Sequence, residues 1–525
     1  MHFQRHLLTA LLSSVAVVKA QNYSVPSLDP QTFNDPAAVC QQFSSQWNNQ
    51  TYFANSTTYK NLNEDFFTAA SWLGPACVFA PTTAEQLSYA VKALTQLKTP
   101  FAIRGGGHMP INDSANIDSS GVLISSSGLS QLKLSDDKST IEVGPGNRWS
   151  AVYEALEPHQ LTVVGGRMGV VGVPGFLLGG GISFFSNELG WSSSNIAQFD
   201  CVLANGDIVS ATADNDYADL FWALRGGGNS FALVTGFHLK TYPLPAVAVG
   251  ETAYSDSLTS EQFLDAVYDF AIDGGAKDPL AAITPIARWG HGQTTPSYHS
   301  MLFYRGNTTT PTALHNFTSV LPVNSSTFSV RPSFYNWTLD SDRGFKEATH
   351  GLRNAFHIVA IRADRSVMQL IHDTWFDAVA RELADVQGFF TGVAFMPMLP
   401  SYFAASMKNG GDPMGVDPNE GPFVWVEESF MWKNPADDAR MADFLDVVNA
   451  NITAALKEQV GDDVEHKYLY LNDADWNQPV FEGYPKGNVM LMKMVREKYD
   501  PERVFTDLMP GGWKVDRAFS GKYEA

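Results

Sequence analysis

Positive charge is scarce in this chain. Lys and Arg number 35 against 55 Asp and Glu, giving a net charge of −20 and a pI near 4.9. That balance speaks against a surface that tracks nucleic-acid phosphates. Charged residues of both signs make up only 17% of the sequence while 44% are apolar, which excludes a disordered chain and leaves ample material for a core. Long hydrophobic runs are missing as well. Beyond the N-terminus, no segment stays apolar and uncharged over the ~20 residues a bilayer span requires. There is no internal repeat and no low-complexity tract. No G-x-G-x-x-G opens a helix early in a βαβ unit and no Gly-Lys-Ser/Thr occurs, so no motif points to a nicotinamide cofactor or ATP.

What is present begins with a leader. Arg5 and His6 precede an apolar run from Leu7 to Val18, followed by Val18-Lys19-Ala20 with small residues where a signal peptidase reads. The pattern predicts a secretory signal (1–20) cleaved after Ala20 and an exported, soluble mature chain. Sequons at Asn22, Asn49, Asn55, Asn112, Asn307, Asn316, Asn324, Asn336 and Asn451 fit that compartment and predict N-glycans. Of the three cysteines, Cys40 and Cys77 flank a polar loop and are expected to form a disulfide. Cys201 lies in an apolar strand-like run and reads as a buried free thiol.

The length predicts two or three domains, or one large split one. A capping box, Thr82-x-x-Glu85, opens a predicted helix from about Thr83 to Leu97, and a short strand, Phe101 to Ile103, runs into Arg104-Gly-Gly-Gly-His108. Strands are expected at 121–124, 140–143, 161–164, 199–204 and 208–211, the last two joined through Asn205-Gly206, with a helix at 149–156. Beyond Pro243 to Pro245 glycine clusters thin out and amphipathic windows appear at 261–272 and 366–383. The stretch 308–338 reads as a loop or insertion, and 423–432 as a strand. A domain boundary is placed near Pro245.

The unusual feature is glycine concentrated in three loops: Gly105 to Gly107, Gly165 to Gly181, and Gly226 to Gly228. Glycine lets backbone approach a ligand closely and turn successive N–H groups on an anion, so three such loops together suggest a phosphate-bearing cofactor. His291 and His299 lack the i, i+4 spacing and the nearby carboxylate or Cys of a metal site, and no metal is expected. Trp425, Phe430, Trp432 and Phe395 read as sheet core or pocket wall.

Arg104-Gly-Gly-Gly-His108, Val171-Gly-Val-Pro-Gly175 with Leu178-Gly-Gly-Gly181, and Asp219 through Asn229 with Val234-Thr235 together resemble the FAD-binding module of the vanillyl-alcohol oxidase (PCMH-type) family. Within it they are similar to the berberine-bridge-enzyme-like branch, as are Tyr484-x-x-x-Asn488 and Lys498-Tyr-Asp-Pro501 near the C-terminus. The resemblance implies an α+β fold with a split FAD-binding domain (21–245, core about 73–245, rejoined by 476–525). Between them it implies a substrate domain (246–475) built on an antiparallel sheet backed by helices. It implies FAD held by Arg104, Gly105, Gly106, Gly107, His108, Met109, Gly165, Gly172, Gly175, Gly180, Asn229, Val234, Tyr484 and Asn488, with a covalent bond from His108 to the flavin 8α-methyl.

Some members add a second bond through a cysteine in the second loop; Met168 stands at that position here, so a single link is expected. Ser194-Asn195 replaces a common Asp-Asn, and Ser230-Phe-Ala-Leu-Val234 departs from the usual Phe-Gly-Ile-Val, which leaves the glycine framework intact. Counting back five residues from Trp432 puts Glu427 where relatives project a Glu or Gln toward the flavin, a candidate general base. For it or its neighbour Glu428 the other reading is a solvated strand residue. Tyr470, in Tyr-Leu-Asn-Asp, is a second base candidate. The implied activity is oxidation of an alcohol, amine or activated C–H group of a small organic molecule, with O2 as acceptor and H2O2 as product, in the manner of a fungal secondary-metabolism enzyme. A dehydrogenase passing electrons to quinones and a flavoprotein cyclase carry the same motifs.

Overall fold

The computed structural model describes residues 34–461 and 464–520; the expected leader and the Asn22 sequon lie outside them. Helices and sheets are mixed along the chain, in keeping with the α+β expectation. The first sheet has four strands. Cys77–Phe79, Val122–Ser125 and Phe101–Arg104 run parallel, and Thr51–Tyr52 pairs antiparallel at the edge. The Cys40–Cys77 disulfide forms and ties helix Pro36–Gln46 to this sheet. Helix Ala84–Leu97 covers it, capped one residue later than the sequence pattern suggested. Thr83, not Thr82, accepts from the Gln86 N–H, while the Gln86 side chain turns back to accept from the Thr82 N–H at 2.8 Å.

A second, five-stranded sheet holds Leu132–Leu134, Thr140–Val143, Leu233–Lys240, Ile196–Val202 and Ile208–Ala211, all antiparallel. The Asn205-Gly206 hairpin is present, with Gly206 at φ +81° where only glycine is unstrained. Cys201 is buried and unbridged.

From Val247 onward the chain builds an eight-stranded antiparallel sheet. Its central strands are Ala281–Gly290, Phe390–Met398 and Phe423–Trp432, with Arg353–Arg362 at one edge. The period of two explains its two faces. Val424, Val426 and Trp432 pack under helices Ser260–Asp269, Arg365–Glu382 and Asp438–Gln459, whereas Phe423 and Trp425 pack toward the glycine loops. The stretch 308–338 is not simply a loop. It contains strands Val323–Ser326 and Ser329–Arg331, both paired to Val247–Tyr254, and the start of helix Phe334–Thr349. Short exposed polar strands such as Val323–Ser326 carry no alternating apolar signal, which is why the sequence pattern misses them.

The C-terminal segment crosses back to the start of the chain. Val504, Phe505 and Met509 share a core with Val39, Cys40, Phe43 and Cys77.

Candidate active site

A large cavity lies between the glycine loops and the outer face of the eight-stranded sheet. The first loop enters it from strand Phe101–Arg104, and its tightness is set by what glycine omits. A Cβ on Gly105 would overlap the Pro174 ring, and one on Gly106 would overlap the backbone of Gly172, so loops one and two touch back to back. Gly107 sits at φ +64°, which turns His108 into the cavity. The Gly107 carbonyl accepts from the Phe67 N–H at 2.8 Å, and the Phe67 ring stacks on the His108 imidazole with centroids 4.4 Å apart. Burial, with the nearby Arg148 charge, pushes the His108 pKa down to about 3, so the imidazole is neutral at physiological pH.

Of the remaining cofactor candidates, Gly105, Gly106, Gly107, Met109, Gly172, Gly175, Asn229 and Val234 line the cavity, as does Met168. Arg104, Gly165, Gly180, Tyr484 and Asn488 do not; they stand behind its wall. Arg104 is buried and donates to the carbonyls of Leu62 and Asp65 and to Ser125 Oγ, each at 3.0 Å, anchoring the first loop. Gly165 packs on the face of Trp149, and Gly180, at φ +104°, lies against Met414. The Tyr484 hydroxyl donates to the Gly226 carbonyl at 2.8 Å, and Asn488 Nδ2 donates to the Pro413 carbonyl at 3.0 Å. These residues shape the glycine loops from outside.

The sheet side of the cavity carries ionisable and polar side chains. Strand Phe423–Trp432 turns Glu427 and Ser429 toward the cavity, while Glu428 points the other way, fully buried, accepting from Asn449 Nδ2 at 2.8 Å. Glu428 is thus not a solvated strand residue, and Glu427 is half-buried at the cavity surface. Burial raises the Glu427 pKa, opposed by the Arg167 charge.

Tyr470 reaches the cavity, yet its hydroxyl oxygen accepts from the Ile182 N–H at 3.1 Å and from Asn472 Nδ2 at 2.9 Å. Burial pushes its pKa up, so as a base it is poor; as a donor it has its proton free. It stacks 5.9 Å from Trp191 and 6.0 Å from Trp425 in an aromatic layer behind the loops.

Sequence reasoning missed Arg167, Asp473, Arg288 and the ring cluster Phe67, Phe345 and Phe356, all on the cavity wall. Asp473 was in view, one residue beyond Asn472, and a carboxylate at that point of an apolar segment was the available signal. His299, by contrast, faces Glu251 together with Arg288. Among the described residues no group of three or more His, Cys, Asp or Glu converges as for a metal.

A cradle where added Cβ atoms would collide, lined also by the carboxyls of Glu427 and Asp473, suits a dinucleotide whose ring system lies against a substrate pocket. The fold and site thus define an FAD-dependent oxidoreductase, and the comparisons with known proteins agree. A family model described as an FAD binding domain matches residues 75–212. The chain is 31% identical over 488 residues to the FAD-dependent monooxygenase prx3 of Penicillium roqueforti, covering 91% of this chain and 94% of that protein. It is also similar to the solved structures of 6-hydroxy-D-nicotine oxidase from Arthrobacter nicotinovorans (TM-score 0.71, 18% identity, 87% of this chain and 96% of that one). Berberine bridge enzyme from Eschscholzia californica gives TM-score 0.70 at 16% identity, over 89% of this chain and 97% of that one. The chain belongs to the family of FAD-dependent oxidoreductases that includes this fungal monooxygenase, and it shares the fold of 6-hydroxy-D-nicotine oxidase and berberine bridge enzyme.

Proposed function

We propose that this is a secreted enzyme that oxidises an alcohol, amine or activated C–H group on a small, largely apolar organic molecule, with O2 as electron acceptor. The observation that carries this reading is that His108 and Glu427 line one cavity, the first on a glycine loop and the second on the sheet. FAD, when bound, supplies the two-electron oxidising power. The glycine loops and Asn229 would hold it, and His108 would carry the single covalent link. The neutral imidazole is competent for that bond, since a protonated ring has no free nucleophilic nitrogen. Met168, a thioether, offers no second attachment.

On the substrate side Phe67, Phe345, Phe356 and Phe390 form an aromatic wall that favours a planar apolar substrate and excludes water. Glu427 takes the substrate proton, its affinity for protons raised by burial toward working pH. Tyr470 orients the substrate by donating its hydroxyl hydrogen.

The test is acid precipitation of protein secreted from a eukaryotic host, followed by peptide mapping. Yellow colour and flavin mass should stay with the peptide containing His108, and His108→Ala should release the flavin. Flavin freed intact from the wild type would remove the covalent role. Because the fungal relative described above is named an FAD-dependent monooxygenase, turnover under isotope-labelled dioxygen separates the two outcomes. Label in H2O2 alone supports oxidase action, and label in the organic product overturns it.

A further inference from the structure

We propose that Glu427 and Asp473 act as one acid–base pair that holds a single proton at neutral pH, with Arg167 as its counter-ion, and that this pair takes up the substrate proton. The inference deepens the reading above and rests on it. Both side chains line the same cavity although they arrive by different routes. Glu427 comes from the middle of strand Phe423–Trp432, and Asp473 from a turn in which its N–H donates to the Tyr470 carbonyl at 3.1 Å.

Arg288 and Arg167 also line this cavity, but they are committed differently. Arg288 is paired with Glu251, whereas Arg167 uses Nη1 on Thr284 Oγ1 and Met396 Sδ, neutral partners both. Its charge is therefore available to the two carboxyls, and both feel it. One cation balances one carboxylate and not two. A second buried anion in an apolar cavity would stand uncompensated, so one carboxyl keeps its proton.

Asp473 is the one that keeps it. Its Oδ2 is buried with no hydrogen-bond partner, an arrangement suited to a neutral carboxyl and costly for a carboxylate. Burial, and then the Glu427 charge, raise its pKa well above the ordinary range. Tyr470 cannot substitute for either member, because its hydroxyl oxygen already accepts from Ile182 and Asn472.

For an alcohol substrate the step balances as follows. The O–H bond breaks and its proton adds to a Glu427 carboxylate oxygen. The O–H electron pair becomes the second C–O bond, and the C–H hydrogen leaves with its two electrons to the oxidant of the proposed activity. The pair passes from one proton to two and from one negative charge to none.

The test uses the holoenzyme labelled with carboxyl-13C aspartate. At pH 8 the infrared spectrum should contain the C=O stretch of a protonated carboxyl that shifts with the label, and so belongs to an aspartate. In Asp473→Asn that band disappears while flavin content is unchanged. In Glu427→Gln it weakens, because Asp473 can then ionise beside Arg167, and turnover falls about 100-fold or more. Asp473→Asn should also remove the alkaline limb of the kcat profile, which a merely structural aspartate would not do. The Asp473→Asn melting temperature should exceed that of the wild type by a margin that widens as pH rises from about 4, the range where the unfolded aspartate ionises and the folded one does not. Absence of a label-sensitive band in the wild type, which needs no variant to fold, overturns the pair, as does its persistence in Asp473→Asn. A wild type that lacks flavin but shows the band refutes the oxidoreductase reading alone.

Discussion

Gly106 shows how little side-chain volume the first loop tolerates. A Cβ there would occupy the position of Gly172 backbone, so Gly106→Ala must separate the two loops. The expected result is a folded protein purified with less than about a tenth of the wild-type flavin. The ratio of flavin to protein absorbance measures it. At this scale the sequence was readable where a motif carries the residue. Glycine runs and the His108 position stand in contiguous strings, and Glu427 could be counted from Trp432. Arg167 and Asp473 were not readable as partners, because some three hundred residues separate two side chains that line one cavity only once the chain has folded. Tyr484 illustrates the reverse limit: its motif is plain, yet only the fold reveals that its hydroxyl braces Gly226 from behind the wall.

At the scale of elements, the alternation of strand Phe423–Trp432 decides chemistry by sending adjacent glutamates to opposite faces. A second cross-strand contact predicts a pH effect. In the five-stranded sheet His238 Nε2 lies 2.8 Å from Asp200 Oδ2 on the neighbouring strand. Burial opposes protonation of His238, but the hydrogen bond and charge of Asp200, with Glu142, outweigh it and raise the pKa. Burial likewise opposes ionisation of Asp200, and bonds from His238, Ser210 and Gln198 lower its pKa overall. Stability from a raised histidine is complete below the unfolded value near 6.5 and is lost as pH climbs through the folded one. His238→Gln should therefore lower the melting temperature at pH 5.5 and have little effect at pH 9; an equal loss at both would show packing instead. The disulfide gives a third check. Cys40–Cys77 closes a segment of sequence separation 37, and replacing both with Ser should cost about 2–5 kcal/mol in denaturant unfolding. Long apolar periodic elements such as helix Arg365–Glu382 were visible from their pattern, whereas the polar strands at 323–331 exist because Val247–Tyr254 offers an edge to pair with.

The whole molecule presents its sequons outward. Asn49, Asn55, Asn112, Asn307, Asn324 and Asn451 are exposed, and Asn316 and Asn336 are half-buried. If the proposed export holds, glycosidase treatment of the secreted protein should lower its mass by several glycans, with the exposed sites modified first, as peptide mapping would show. A single sharp mass equal to the bare chain would contradict it. The α+β architecture was legible from the order of strand and helix signals around the glycine loops, but the cavity that those loops share with the eight-stranded sheet was not, because no local pattern encodes which faces meet.

The seam between the chain's two ends bears on how the protein is made. Phe505 and Met509 fill a core begun by Val39 and Phe43, and Gly512 and Trp513 complete the cavity wall. During synthesis the early strands must wait for more than four hundred residues to emerge before their core can close. Cofactor capture is thus expected only after these late residues have joined the fold, and a nascent chain stalled before Val504 should remain colourless however much of its first sheet had formed.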